Sequence, residues 1–320
     1  MTVCNTPLVP LALWRTMQLI LLTCLSMLAF AGNSILCRLA LVQQHIDPAS
    51  FTAIRIASGA LVLYALARLS LLRAAAATPT QQPAPRQQSG SWAGAIALAL
   101  YATAFSLAYL KVESGVGALI LFGSVQLSML LYGTLKGERL GALSSVGLSV
   151  SVIGLVFLLL PGSSTPPLGA AALMAIAGAA WGWYSILGRD ATYPLATTAG
   201  NFARAIPLSL LAILPWLAVL HWDLAGVGYA ILSGAVTSGL GYAVWYGVMK
   251  RLSVMKAATV QLSVPIITAM LGAILLGEAL TLQLVLSCIA VLGGIALVLA
   301  GKGRNSRQAN PMNIVQENHD

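Results

Sequence analysis

A chain of 320 residues that is 58% hydrophobic and only 8% charged is not an ordinary water-soluble domain, since such domains carry about 25% charged residues. Its net charge of +9 fits the Lys- and Arg-rich cytoplasmic loops of a membrane protein better than nucleic-acid binding, which is set aside. Four cysteines without C-x-x-C spacing and three scattered histidines imply no disulfide framework, no metal site and no catalytic pair of sequence neighbours.

In chain order, residues 1–16 are a short cytoplasmic lead. The first apolar run, 17–41, contains Ala29-Phe30-Ala31, which has the form of a signal-peptidase site. The run continues past that site, however. Its Gly32-Asn33-Ser34-Ile35-Leu36-Cys37-Arg38 is also echoed by Gly182-Trp183-Tyr184-Ser185-Ile186-Leu187-Gly188-Arg189. It is read as a retained helix. Asp47-Pro48 is a helix-start signal ahead of a second run at 51–72, and a Pro- and Gln-rich linker occupies 78–91. Further helices are predicted at 92–110, 115–135 and 140–160, closed by Pro161-Gly162. The second half follows with 168–187, 195–220 (interrupted by Pro207 and Pro215), 224–249, 255–276 and 280–300. The polar tail, 302–320, is predicted to be disordered. Each run is close to the ~20 apolar residues that cross a ~30 Å hydrocarbon core.

The chain is written twice. A shift of 140 positions lays Gly137-Glu138 on Gly277-Glu278 and Gly154 on Gly294. The expected fold is an all-α integral membrane protein, with ten transmembrane helices in two inverted five-helix repeats, 17–162 and 168–301. Inversion follows from the odd number of spans per half. Many secondary transporters build a site that opens alternately to each side on this plan. Thirteen of the 17 Lys and Arg fall on one side and Lys111 alone on the other, so both termini are expected in the cytoplasm of a multi-pass plasma-membrane protein.

Several short motifs carry a further resemblance: Gly32-Asn33-Ser34 with Arg38, Phe51-Thr52-Ala53-Ile54-Arg55, Pro265…Gly272…Leu276-Gly277-Glu278…Thr281, and Gly293-Gly294. From about residue 21 to 301 the chain resembles the EamA-type branch of the drug/metabolite transporter superfamily. The resemblance implies two inverted five-helix halves. It also implies export of a small organic solute, such as an amino acid, a metabolite or a drug-like compound, across a bacterial inner membrane. The first half departs from the pattern, with Val125 opposite Pro265, so the fourth helix lacks the break expected in the ninth. Small multidrug exporters related to this family carry a buried Glu in the first helix. Here that place offers only Asn33 and Ser34, which argues against the same proton-for-cation exchange.

The candidate residues each have a bland alternative. Glu138 and Glu278 are read either as gate or coupling carboxylates or as acids favoured by the dipole of the next helix. Arg55 and Arg204, at opposite mouths, either snorkel to headgroups or grip a carboxylate or phosphate. Tyr242, Trp245, Tyr246 and Met249 form one stripe, Trp181 and Tyr184 another beside Gly178 and Gly182, and Tyr101 sits one turn from Phe105. Such stripes are cavity walls, interhelical packing or an interfacial belt. Gln126, Asn201 and Gln261 are amides that must find partners in the bundle interior, as glue or as pathway lining. Asn33 and the break at Pro265 complete the set. Gly133 and Gly137, like Gly178 and Gly182, have the spacing of close helix packing.

No phosphate-binding loop of the G-x-x-x-x-G-K-[ST] type is present, so ATP does not drive the protein directly, and no cofactor is expected. The reading is a secondary transporter of a small-molecule substrate, working in a lipid bilayer as a monomer or homodimer. A channel, a non-transporting sensor or a membrane transferase are the rival readings.

Overall fold

A computed structural model describes residues 11–77, 90–137, 140–162, 165–189, 191–252 and 254–309. Among these residues the regular structure is helical. In order it comprises α1 (Leu11–Val42), α2 (Pro48–Ala77), α3 (Trp92–Tyr109), α4 (Ser114–Leu135), α5 (Ala142–Leu159), α6 (Leu168–Gly188) and α7 (Pro194–Leu211), followed by a 3-10 turn (Leu214–Val219). There follow α8 (Leu224–Ile231), a π-helical stretch (Leu232–Leu240), α9 (Gly241–Met249), α10 (Val254–Gln261), α11 (Ser263–Leu276) and α12 (Leu282–Ala309). An isolated bridge joins Ile46 to Trp222. The π stretch makes α8 to α9 one passage, and α10 with α11 makes another, so ten passages result.

Nine of these passages are long and apolar enough to cross a membrane, among the described residues. The tenth, α7, falls below that measure. Its polar Thr197, Thr198, Asn201 and Arg204 dilute the span, and Pro207 lies inside it. The helix stops at Leu211, well short of the predicted 220, and the 3-10 turn with Pro215 takes up the remainder. The ends also differ from expectation. Helix α1 begins at Leu11, inside the expected lead, and the backbone of α12 runs to Ala309, inside the tail expected to be disordered. The ninth passage breaks at Leu262 while α4 runs unbroken. Pro265 has no N–H for the carbonyl four residues back, and its ring crowds that carbonyl.

The helices pack as the internal repeat requires. Helix α3 lies on α6, and the exchanged pair, α1 with the α8–α9 passage, packs as well. Likewise α4 on α6 is matched by α11 on α1, and α3 on α7 by α2 on the π stretch. Three pairs map onto themselves: α2 with α7, α4 with α11, and α5 with α12. The inversion is visible at one spot, where α4 begins at Ser114 against the place where α11, its counterpart, ends at Gly277. The repeated glycines are helix stops, with φ of +92° at Gly137 and +68° at Gly277. This conformation costs a residue with a Cβ roughly 1–2 kcal/mol.

Two seams depend on small residues. Along α5–α12, a Cβ on Gly147 would stand 2.5 Å from Gly294 O, and Ser144 and Ser151 donate across to Val298 O and Val291 O, each at 3.1 Å. Along α4–α6, a Cβ on Gly178 would stand 2.5 Å from Leu121 O, and one on Gly182 would strike the Ser128 hydroxyl. Gly137 meets nothing within 4 Å. Gly137 therefore marks a helix end and not a close helix contact.

Candidate functional site

Three separate parts of the chain meet at the face where α1, α3 and α11 end. Glu278 stands just past Gly277, whose left-handed turn lets the Glu278 N–H return to Gly272 O at 3.2 Å. That turn aims the carboxylate across the boundary between the halves. Its Oε1 accepts from Arg38 Nε at 3.1 Å, and its Oε2 accepts from the Ser114 N–H at 2.8 Å and from the Ser114 hydroxyl. Arg38 also donates from Nη1 to Tyr109 O at 2.8 Å. The carboxylate thus serves a helix N-terminus, as one expectation held, but it is that of α4 in the other half. Thr281 instead caps α12, accepting from Leu284 N at 3.2 Å. With side chains only 13% and 12% exposed, the Arg38–Glu278 pair is a largely desolvated latch. A Cβ on Gly272 would collide with both Ser114 and Glu278.

A second tie at the same face joins the α1–α2 and α7–α8 loops. Asp47 N donates to His221 O at 3.0 Å and Asp223 N to His45 O at 2.8 Å. The His45 ring contacts Asp223 Oδ2 at 2.6 Å. Asp47 also caps α2, accepting from Ala49 N and Ser50 N at 3.0 and 2.9 Å. The Gly226 N–H, and then His45, hold the Asp223 carboxyl below the ordinary carboxylate range. Glu113, just ahead of α4, is pushed the other way, by desolvation first and by the Glu278 charge second. A cleft of about 450 Å³ opens between these ties, lined by Arg38, Asp47, Pro48, Leu110, Trp216 and His221 among others.

Beneath the latch runs a continuous aromatic chain. Tyr109 meets Phe105 edge-on at 4.6 Å, Phe105 meets Tyr101 at 5.4 Å and Tyr101 meets Trp181 at 4.9 Å. Trp181 stacks on both Tyr184 and Tyr242, at 5.2 and 5.5 Å. Both halves contribute rings to this chain. Against it lies Arg55, two turns into α2 and about 10 Å below the latch face at 1.5 Å rise per residue. Only 1% of Arg55 is exposed. Its guanidinium carbon lies 5.1 Å from the Tyr101 ring and 5.0 Å from that of Phe105, and Nη2 donates to Tyr101 Oη at 3.0 Å. Its Nε and Nη1 are buried without a hydrogen-bond partner. Ring contacts of this kind return about 2 kcal/mol each when desolvated, whereas burying an ion costs several kcal/mol.

The network continues into α1 and the π stretch. Asn33 Nδ2 donates to Tyr101 Oη at 3.3 Å, and Asn33 Oδ1 accepts from Ser233 at 2.7 Å and more weakly from Thr237 at 3.5 Å. Gly234 brings this turn against α2, for a Cβ there would overlap Arg55 O and Ser58. The π winding is therefore placed beside the buried arginine.

The other candidates lie elsewhere. Trp245 is 5% exposed and packs edge-on against Phe30 in a separate cluster with Met27 and Val264, so it is not a belt residue. Tyr246 shares a hydrogen bond with Thr198 at 2.6 Å. Asn201 Oδ1 accepts from Ser91 N at 2.8 Å, joining α7 to the start of α3 at the face opposite the latch. Arg204 is half-buried and donates to Gly200 O on its own helix at 3.1 Å. Gln126 and Gln261 are half-buried on α4 and α10, and Pro265 is buried at the break. Glu138 lies outside the described residues. Ser114, Ser233, Thr237 and Phe30 were not singled out from the sequence. Only the run of small polar residues and glycines in the eighth passage hinted at two of them.

A model of the EamA-like transporter family matches residues 168–300. An uncharacterized protein of Pseudomonas aeruginosa is 52% identical over 290 residues, which is 90% of this chain and 97% of that protein. An uncharacterized transporter of Archaeoglobus fulgidus is 25% identical over 212 residues, or 64% of this chain and 75% of that one. A solved crystal structure covers 88% of this chain and 96% of its own, with a TM-score of 0.58 at 18% identity, a likeness of fold alone.

Proposed function

Because the chain belongs to the EamA-like transporter family, whose members are multi-pass membrane proteins, we propose that it is a secondary carrier exporting a small organic solute by alternating access. The site is the aromatic and polar centre between the inverted halves, formed by Asn33, Arg55, Tyr101, Trp181, Tyr184 and Tyr242. Tyr246 and Asn201 lie toward the second mouth. The observation that carries this reading is the latch, in which one carboxylate from the second half holds α1 and α4 of the first above the buried centre. A tie of side chains across a two-fold boundary can be undone without disturbing either half. Transport rather than catalysis is consistent with membership of a transporter family. The Lys and Arg distribution supports an outward latch face and cytoplasmic termini, and the family resemblance supports a bacterial inner membrane.

The test is counterflow in proteoliposomes preloaded with a panel of amino acids, aromatic carboxylates, their amides and cationic dyes. Saturable counterflow of at least one solute is expected. A non-saturating conductance instead would make the protein a channel. Cysteines replacing Ser114 and Glu278, joined by a short cleavable bifunctional thiol reagent, should stop counterflow until the link is cut. Undiminished exchange with the link in place would sink the gate reading.

A further inference from the structure

Resting on that reading of the centre as the transport site, we infer that the solute carries a single carboxylate, and that Arg55 receives it. The centre around Arg55 holds unused hydrogen-bonding capacity. Tyr101 Oη accepts from both Asn33 Nδ2 and Arg55 Nη2, so its own proton is left to donate. Asn33 Oδ1 is taken by Ser233 and Thr237. Arg55 adds Nε and Nη1, buried and unpaired, and one full positive charge. What the centre offers around Arg55 is thus donors, and what it needs is an acceptor bearing charge −1. Glu278, the acid of the latch above, is already held by Arg38 and Ser114, and Asp47 by the N-terminus of α2. A cationic solute would meet like charge here. A phosphate dianion would meet one cation where it calls for more. A carboxylate matches both the charge and the donors, and the flanking faces of Tyr101, Phe105, Trp181 and Tyr242 suit a ring attached to it.

A structural role makes the opposite prediction for the same residue. An arginine kept for stability should lower thermal stability when replaced by apolar Met of similar length. One kept for a ligand should leave the empty protein as stable or more so, because an unpaired buried charge is removed. The experiment is thermal denaturation of the purified full-length protein in detergent, titrated with phenylacetate and, in parallel, phenylacetamide. In the wild type, phenylacetate should raise the melting temperature with saturation, and phenylacetamide should bind at least about tenfold more weakly, as expected for losing hydrogen bonds to a charged group. Arg55→Met should abolish that preference without lowering the melting temperature of the empty protein. Arg55→Lys serves if the Met variant cannot be purified, and should weaken phenylacetate at least about tenfold, because the planar fork is lost. Equal binding of acid and amide by the wild type overturns the inference, as does a preference that survives at position 55. If neutral amides show saturable counterflow while carboxylates neither bind nor exchange, the carrier reading stands and the carboxylate reading falls. If carboxylates bind through Arg55 but nothing exchanges, the reverse holds.

Discussion

Glu278 draws on three donors from the other half of the molecule, so its loss takes from a largely buried guanidinium its counter-ion and from the N-terminus of α4 its acceptor. Breaking such a pair costs up to about 3–5 kcal/mol when fully buried, and the 12% exposure here puts Glu278→Ala at roughly 1–3 kcal/mol. Cys37, fully buried one position before Arg38, is a native reporter. With the other cysteines replaced by serine, it should label with an impermeant thiol reagent faster in the Glu278→Ala variant; unchanged labelling would mean the latch does not cover the centre. Glu113 and Asp223 give opposite pH responses. Glu113 is raised above its ordinary 4.5, so the folded protein holds that proton more tightly and stability falls as pH rises through the window above 4.5. Glu113→Gln should therefore melt higher than the wild type at neutral pH and equal to it near pH 4. Asp223 is depressed below its ordinary 3.8, so its contribution is present above that pH and disappears as pH falls through the folded value. Asp223→Asn should be less stable than the wild type at pH 7 and not in strong acid. Both signs can be read from melting curves over a pH series.

At the level of elements, what a helix does at its glycines separates two kinds of cost. Gly137 has room but a positive φ, whereas Gly178 has ordinary geometry but a carbonyl where a side chain would go. Gly137→Ala should cost about 1 kcal/mol of backbone strain. Gly178→Val should cost about 1–3 kcal/mol or more, because α6 has to back away from α4. Denaturation of the two variants side by side decides it, and a larger loss at Gly137 would refute the packing account. The sequence showed neither distinction, since both positions belong to the same four-residue spacing. The break at Pro265 was legible because proline acts locally, through its missing N–H and its ring. The π stretch was not, for winding is decided by what α2 presents at Arg55 and Ser58 as much as by Ser233 and Gly234 themselves.

For the whole molecule, the fold class and the duplication were plain in the chain, because hydrophobic length and repeated motifs need no partner to be recognised. The site was half legible. Aromatic stripes and lone arginines flagged several residues that the structure brings together, but not that Arg38 would find Glu278, 240 positions away, or that Tyr101 would take two donors. Sequence spacing carries no information about who faces whom across a two-fold boundary. Gly137 and Gln283 should report opposite orientation: cysteines placed there ought to label from opposite sides of the membrane, and labelling from one side would refute the inversion. The α5–α12 seam, meanwhile, is joined backbone to backbone, through Gly147, Gly294 and the serines that reach across. A thiol link between Ser144→Cys and Val298→Cys should therefore spare exchange, where the link at 114 and 278 stops it. On the carrier reading proposed above, this seam is the spine of a book, the edge that stays sewn while the covers part elsewhere.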